Sequence, residues 1–182
     1  YPDIKTFTAE ALNNKRITAK IDFSPAGFHA MIFDGSNTYF IDPYSDVEDG
    51  NYLCYYKRDH PKTGSMTCNV REEMEAALLE GLEGTTAART YGTQRKNYRL
   101  ALACTGEYAA AVGGATPTKA SVLAQMVLIM NRVNGVYQRE LAVNMTLIAN
   151  TDTLIFLNGA TDPYTNNDGG AMLDENQTTV TN

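Results

Sequence analysis

Three cysteines, Cys54, Cys68 and Cys104, and two histidines, His29 and His60, are the residues of this chain best suited to nucleophilic or metal chemistry. An odd cysteine count leaves one thiol without a partner in the chain or gives it a separate task such as metal ligation. The two histidines are far apart, and neither an HExxH helix nor a CxxC pair occurs, so the sequence offers no complete zinc site. His29 lies in an apolar stretch, which favours a packed imidazole over a catalytic one. No GxSxG elbow supports a Ser-His-Asp triad. Gly113-Gly114 precedes a helix bearing Lys119, but no glycine precedes that lysine and Ala120 stands where a phosphate loop needs Ser or Thr. From Tyr164 to Glu175 there is a partial calcium-loop register, with Asn166, Asp168, Gly169 and Glu175 at loop positions three, five, six and twelve. Tyr164 replaces the first ligand and Asp162 is its substitute; a plain turn in which Asp168 caps a helix from about Ala171 is the preferred reading.

These residues must be positioned by elements, and the clearest is a helix over 116–140. Thr116 and Pro117 suit its start, and Leu123, Met126, Val127, Met130, Val133, Tyr137 and Leu141 recur at spacings of three and four. Such a rod is about 37 Å long and needs a sheet to lie on. Apolar runs at 98–104, 143–149 and 153–157 supply strands, and the helix between the first two implies a parallel βαβ crossover. Upstream, residues 17–58 read as a meander of short strands at 17–23, 28–33, 39–41 and 52–56, closed by Ser24-Pro25-Ala26-Gly27, Asp34-Gly35-Ser36-Asn37 and Asp49-Gly50. The fold class expected is α+β or α/β: a small antiparallel β module, then a mixed sheet with a long packed helix. Residues 1–58 form the β-rich module, 59–97 a linker with one helical island at 71–83, and 98–182 the helix-containing part. Within the linker, Arg89 and the pair Arg95-Lys96 offer accessible cleavage points; an ordinary solvated linker is the equal alternative.

Composition narrows the classes. Across 182 residues the net charge is −6 and the basic residues are scattered apart from Arg95-Lys96, which argues against a nucleic-acid surface. No apolar run approaches the roughly 20 residues of a membrane helix. Abundant tyrosine and Asn- and Thr-rich turns suit a secreted bacterial protein. Tyr at position 1 and the helix-like Asp174–Asn182 lead to the expectation of a processed or truncated piece. Asn144-Met-Thr and Asn176-Gln-Thr match the glycosylation sequon, a pattern common by chance.

The run from Tyr98 to Gln177 resembles the opening half of the catalytic domain of bacterial reprolysin-like (adamalysin-type) metzincin zinc peptidases. The segments that carry the resemblance are TGEY at 105–108, MNRVNGVYQRE at 130–140 and DPYTNNDG at 162–169. Upstream, GFHAMIFDGSNTYFIDPYS at 27–45 resembles the pro-segment of the same secreted enzymes. The resemblance implies a propeptide followed by a metzincin-like upper subdomain of a zinc metalloendopeptidase. The family's HExxHxxGxxH motif is absent from these residues, so the chain alone is expected to be inactive.

Met66-Thr67-Cys68-Asn69-Val70 resembles the cysteine-switch segment of such propeptides. A thiolate from Cys68 is a competent fourth zinc ligand that displaces the attacking water; a disulfide with Cys54 or Cys104, or a buried free thiol, is the alternative. The implied cofactor is zinc, held by ligands outside this chain, with calcium as the further candidate at Asp162, Asn166, Asp168 and Glu175. Implied partners are the remaining C-terminal part of the catalytic domain and a protein or peptide substrate. The rival reading is a non-catalytic inhibitory, binding or self-assembling module.

Overall fold

Turn chemistry shapes the first half of the chain. Gly27 (φ 105°) and Gly35 (φ 57°) hold left-handed conformations that side-chain-bearing residues rarely adopt, and each closes a tight reversal. The computed structural model describes residues 1–45, 49–60 and 94–181. It begins with five antiparallel strands in sequential order: β1 (Lys5–Glu10), β2 (Ile17–Ser24), β3 (Gly27–Asp34), β4 (Asn37–Pro43) and β5 (Tyr52–Tyr56). The meander is as expected, with β1 added to it. The run Lys5–Glu10 is mostly exposed, so it lacks the apolar alternation by which a half-buried strand is recognised. The 71–83 helical island lies outside the described residues.

The second half builds β6 (Lys96–Leu100), α1 (Gly106–Val112), α2 (Lys119–Glu140), β7 (Val143–Leu147) and α3 (Gly169–Thr181). Strands β6 and β7 pair in parallel, Lys96 opposite Val143 through Leu100 opposite Leu147, so the helix-containing crossover is present. An antiparallel sheet, helices and a parallel sheet together make an α+β fold.

Helix α2 begins two residues later than Pro117 suggests. Thr118 is its cap: the Ser121 N–H donates to Thr118 Oγ1 at 3.1 Å and the Thr118 N–H donates to Ser121 Oγ at 3.0 Å. This reciprocal box satisfies two otherwise orphaned amides. Pro117 instead lies against Gly113, where an added Cβ would come within 2.6 Å of the proline ring.

The strand expected over 153–157 is corrected. Residues Thr151–Leu154 form a 3₁₀ turn, and only Ile155 bridges to Cys104. The local chemistry explains it: Thr151 Oγ1 donates to the Ile148 carbonyl and Thr153 Oγ1 to the Asn150 carbonyl, both at 2.8 Å. Hydroxyls that bond their own neighbouring backbone compete with strand pairing.

The apolar core of this half consists of Cys104, Ala109, Val122, Leu123, Met126 and Ile155, with Ile4 reaching in from the N-terminal segment. Met126, 2% exposed, is one of the most buried side chains of this cluster. Truncating it removes buried methylenes and leaves a cavity, so Met126→Ala should cost about 2–5 kcal/mol in denaturant unfolding. Leu173→Ala, at a position 74% exposed, should stay within about 0.5 kcal/mol of the parent.

Candidate functional site

Two of the sequence segments singled out above, TGEY and DPYTNNDG, meet in space. The Thr105 side chain caps α1 by accepting from the Tyr108 N–H. One residue on, the Gly106 N–H donates to Asp162 Oδ2 at 2.7 Å, and the other oxygen of Asp162 accepts the Tyr164 N–H at 3.0 Å. The backbones approach so closely that a Cβ on Gly106 would lie 2.0 Å from the Gly159 nitrogen. Helix α1 was not read from the sequence, although a capping Thr before Gly-Glu-Tyr and three alanines was a usable signal.

The calcium-loop residues have other engagements here. Asp168 Oδ1 accepts the N–H groups of Gly170 and Ala171 at 3.1 and 3.0 Å, which caps α3 as the plain-turn reading requires. Glu175 accepts from the backbone N–H and the hydroxyl of Thr165 at 2.7 and 2.6 Å, and Asn166 is exposed. Among the described residues, no group of three or more His, Cys, Asp or Glu side chains is placed to hold a metal.

A second constellation joins the five-stranded sheet to α2. The register sets Thr18, Lys20 and Asp22 of β2 opposite Phe33, Met31 and His29 of β3, so all six share one face. That face meets α2, and it is largely polar. His29 Nδ1 lies 3.0 Å from Asp22 Oδ2, both side chains being buried, while Asn131 of α2 donates to the Ile21 carbonyl at 3.1 Å and to Asp22 Oδ1 at 3.4 Å. His29 is thus packed, as its surroundings in sequence implied. Arg132 pairs with Asp42, its guanidinium lying over the Phe40 ring at 4.9 Å, and Tyr55 donates to the other Asp42 oxygen at 2.6 Å. Burial, with Asp42 bonded beside it, pushes the Tyr55 phenol up to about 12. Lys20 donates to Thr8 and to Gln138, both at 2.7 Å. Gly135 lets the helix come this near: an added Cβ would sit 3.0 Å from Lys20 Cγ and 3.1 Å from the Phe33 ring.

The helix face responsible, Asn131, Arg132, Gly135, Gln138 and Arg139, recurs at helical spacing beside the apolar stripe. The stripe predicted for the core is correspondingly shorter than expected, since Tyr137 and Leu141 are exposed. On the β7 side, Asn134 donates to and accepts from the Met145 backbone at 2.7 and 2.8 Å.

Of the remaining candidate residues, Cys68 and Arg89 lie outside the described residues. Cys54 is exposed and Cys104 buried, both as free thiols, and burial pushes the Cys104 thiol up. Arg95 and Lys96 have exposed side chains, but Lys96 already begins β6 and its N–H donates to the Ala142 carbonyl at 2.8 Å. Asn144, of the first sequon, bonds Gln138, Asn97 and Thr146 through its side chain.

Residues 94–182 match the model of the family described as metallo-peptidase family M12B, reprolysin-like. No curated protein and no solved structure matches the chain. The match marks residues 94–182 as metallopeptidase-related and covers the region built from β6 onward. Such peptidases are zinc-dependent, yet the described residues do not fit a zinc site, because their carboxylates serve backbone amides and partners one by one.

The Gly106–Asp162 junction yields a direct test. Gly106→Ala forces backbone apart at a contact of 2.0 Å and should lower the unfolding midpoint sharply. Gly169→Ala, with open space around its Cβ position, should be neutral or slightly stabilising in the same thermal melt.

Proposed function

We propose that this chain is the pro-segment and N-terminal part of a secreted bacterial zinc-dependent metalloendopeptidase. In this reading residues 1–58 are the pro-segment, 59–97 the linker processed at Arg89, Arg95 or Lys96, and 98–182 the N-terminal half of the catalytic domain. The observation that carries it is the chemistry of the contact between the sheet and α2. The region matched by the family builds its apolar cluster almost entirely from its own residues. The sheet of residues 5–56 is joined to that region through hydrogen bonds and the Arg132–Asp42 ion pair on α2, with Met31 and Phe33 as the buried apolar residues of the same sheet face. Polar contacts of this kind resemble those between parts of a protein that separate, whereas obligate partners share an apolar core. A pro-segment must fold against its enzyme and then leave, which this chemistry suits.

The zinc ligands belong to HExxHxxGxxH, absent from these residues, so the homogeneous 182-residue chain should hydrolyse neither casein nor gelatin. Chelator-sensitive turnover by that preparation would contradict the reading. In the precursor that carries the whole catalytic domain, activity should appear when the segment before the cleavage point at Arg89, Arg95 or Lys96, Cys68 included, departs. The cysteine-switch assignment is tested in the same precursor: Cys68→Ala should be active before processing or should degrade itself, and continued latency with Cys68 found in a disulfide would refute that part.

A further inference from the structure

Lys20 is an anomaly in an acidic protein. It is 7% exposed, and among the described residues no carboxylate lies within ion-pair distance of its ammonium. Lysine is almost never buried to this extent without a counter-charge. Its Nζ donates to two neutral oxygens, Thr8 Oγ1 and Gln138 Oε1, both at 2.7 Å. The nearest acid along the strand, Asp22, is engaged by His29 and Asn131.

Lys20 also lines a cavity of about 400 Å³ between β1, α2 and β7. Arg95 lines the same cavity, and none of its described lining residues is acidic. Burial pushes the Lys20 ammonium down, and the repulsion of the Arg95 guanidinium pushes it the same way. The rest of the polar lining is amide and hydroxyl, including Thr8, Asn134, Gln138 and Asn144. Those amides are tied into a hydrogen-bond chain from Lys20 through Gln138 and Asn144 to Asn97, which holds the lysine in place.

We propose that this cavity is a binding site for a small oxyanion, a tetrahedral phosphate or sulfate group or a carboxylate, held between Lys20 and Arg95. The Lys20 ammonium has a third donor beyond its two hydrogen bonds, and the Arg95 guanidinium presents a planar fork of donors to the same anion. An anion there supplies a counter-charge that none of the described residues provides and bridges β1 and β2 to the linker end of β6. The inference concerns a site separate from peptide hydrolysis and goes beyond the pro-segment reading.

The test uses the full 182-residue chain with inorganic sulfate, inorganic phosphate or acetate replacing chloride at constant ionic strength. Binding to the folded state alone raises the melting temperature saturably, by about 2–4 °C or more once the site is filled. Sulfate also stabilises proteins by general exclusion from their surfaces, so the decisive comparison is Lys20→Met, which should lose the saturable rise and keep only that general effect. Lys20→Met should itself still fold in chloride, since the buried charge it removes has no counter-charge among the described residues. Arg95→Ala, at an exposed position, gives a second arm and should weaken binding at least tenfold. In parallel, NMR titration of the parent should move the side-chain amide signals of Asn134, Gln138 and Asn144 with one common dissociation constant. A response to acetate alone identifies the carboxylate as ligand, and a response to sulfate and phosphate alone the tetrahedral anion. An equal rise in Lys20→Met, or no saturable shift of those amides with any of the three anions, overturns the proposal.

Discussion

The carboxamide of Asn131 is the constraint around which the layers are arranged. It reaches from the middle of α2 to the Ile21 carbonyl and the Asp22 carboxylate, and Asp22 in turn holds His29. Each of these groups is buried, and each is hydrogen-bonded. Removing one partner would strand the others away from water at about 1–3 kcal/mol per unsatisfied group. The helix therefore has a fixed rotation against the sheet, and with it the opposite face of α2 is fixed against Cys104, Ala109 and Ile155. A purely apolar contact would tolerate sliding; this one has a register.

That arrangement inverts the usual reading of a half-buried strand. In β2 the apolar residues Ile17, Ala19, Ile21 and Phe23 point away from the helix, and Thr18, Lys20 and Asp22 point toward it. The far face is held by its own aromatic contacts: Phe7 with Phe23 at 6.2 Å, Phe23 with Phe28 at 5.0 Å and Phe28 with Tyr52 at 5.8 Å between ring centroids. Cross-strand aromatic pairs of this kind add to a sheet's own stability. The meander thus has internal support of its own and meets the metallopeptidase-related region through a largely polar face, which is the basis for reading it as a detachable pro-segment.

What was legible in the sequence was what depends on local chemistry. The Gly27 and Gly35 reversals, the long helix, the parallel crossover and the Asp168 cap all follow from turn residues, periodicity and capping. What was not legible depends on partners far along the chain. Lys5–Glu10 becomes a strand because β2 is there to pair with it. The stretch 153–157 has strand-like composition, but its threonines find carbonyls three residues back. The face of α2 with Asn131, Arg132, Gly135, Gln138 and Arg139 looks solvated by composition. It is half covered because β2 and β3 present the matching polar groups, a pairing across about a hundred residues that periodicity does not encode.

The central claim, that residues 1–60 form a folded unit held on α2 by a polar and separable contact, is tested most directly by cutting the chain between residues 60 and 94 and measuring the affinity of the two pieces. The account predicts that the pieces stay folded and separate on dilution. Their dissociation constant should rise with ionic strength as the Arg132–Asp42 pair is screened, and should increase about tenfold, equivalent to 1.4 kcal/mol, in Asn131→Ala. Pieces that cannot be parted without denaturant, or that unfold together as soon as they are parted, would contradict it.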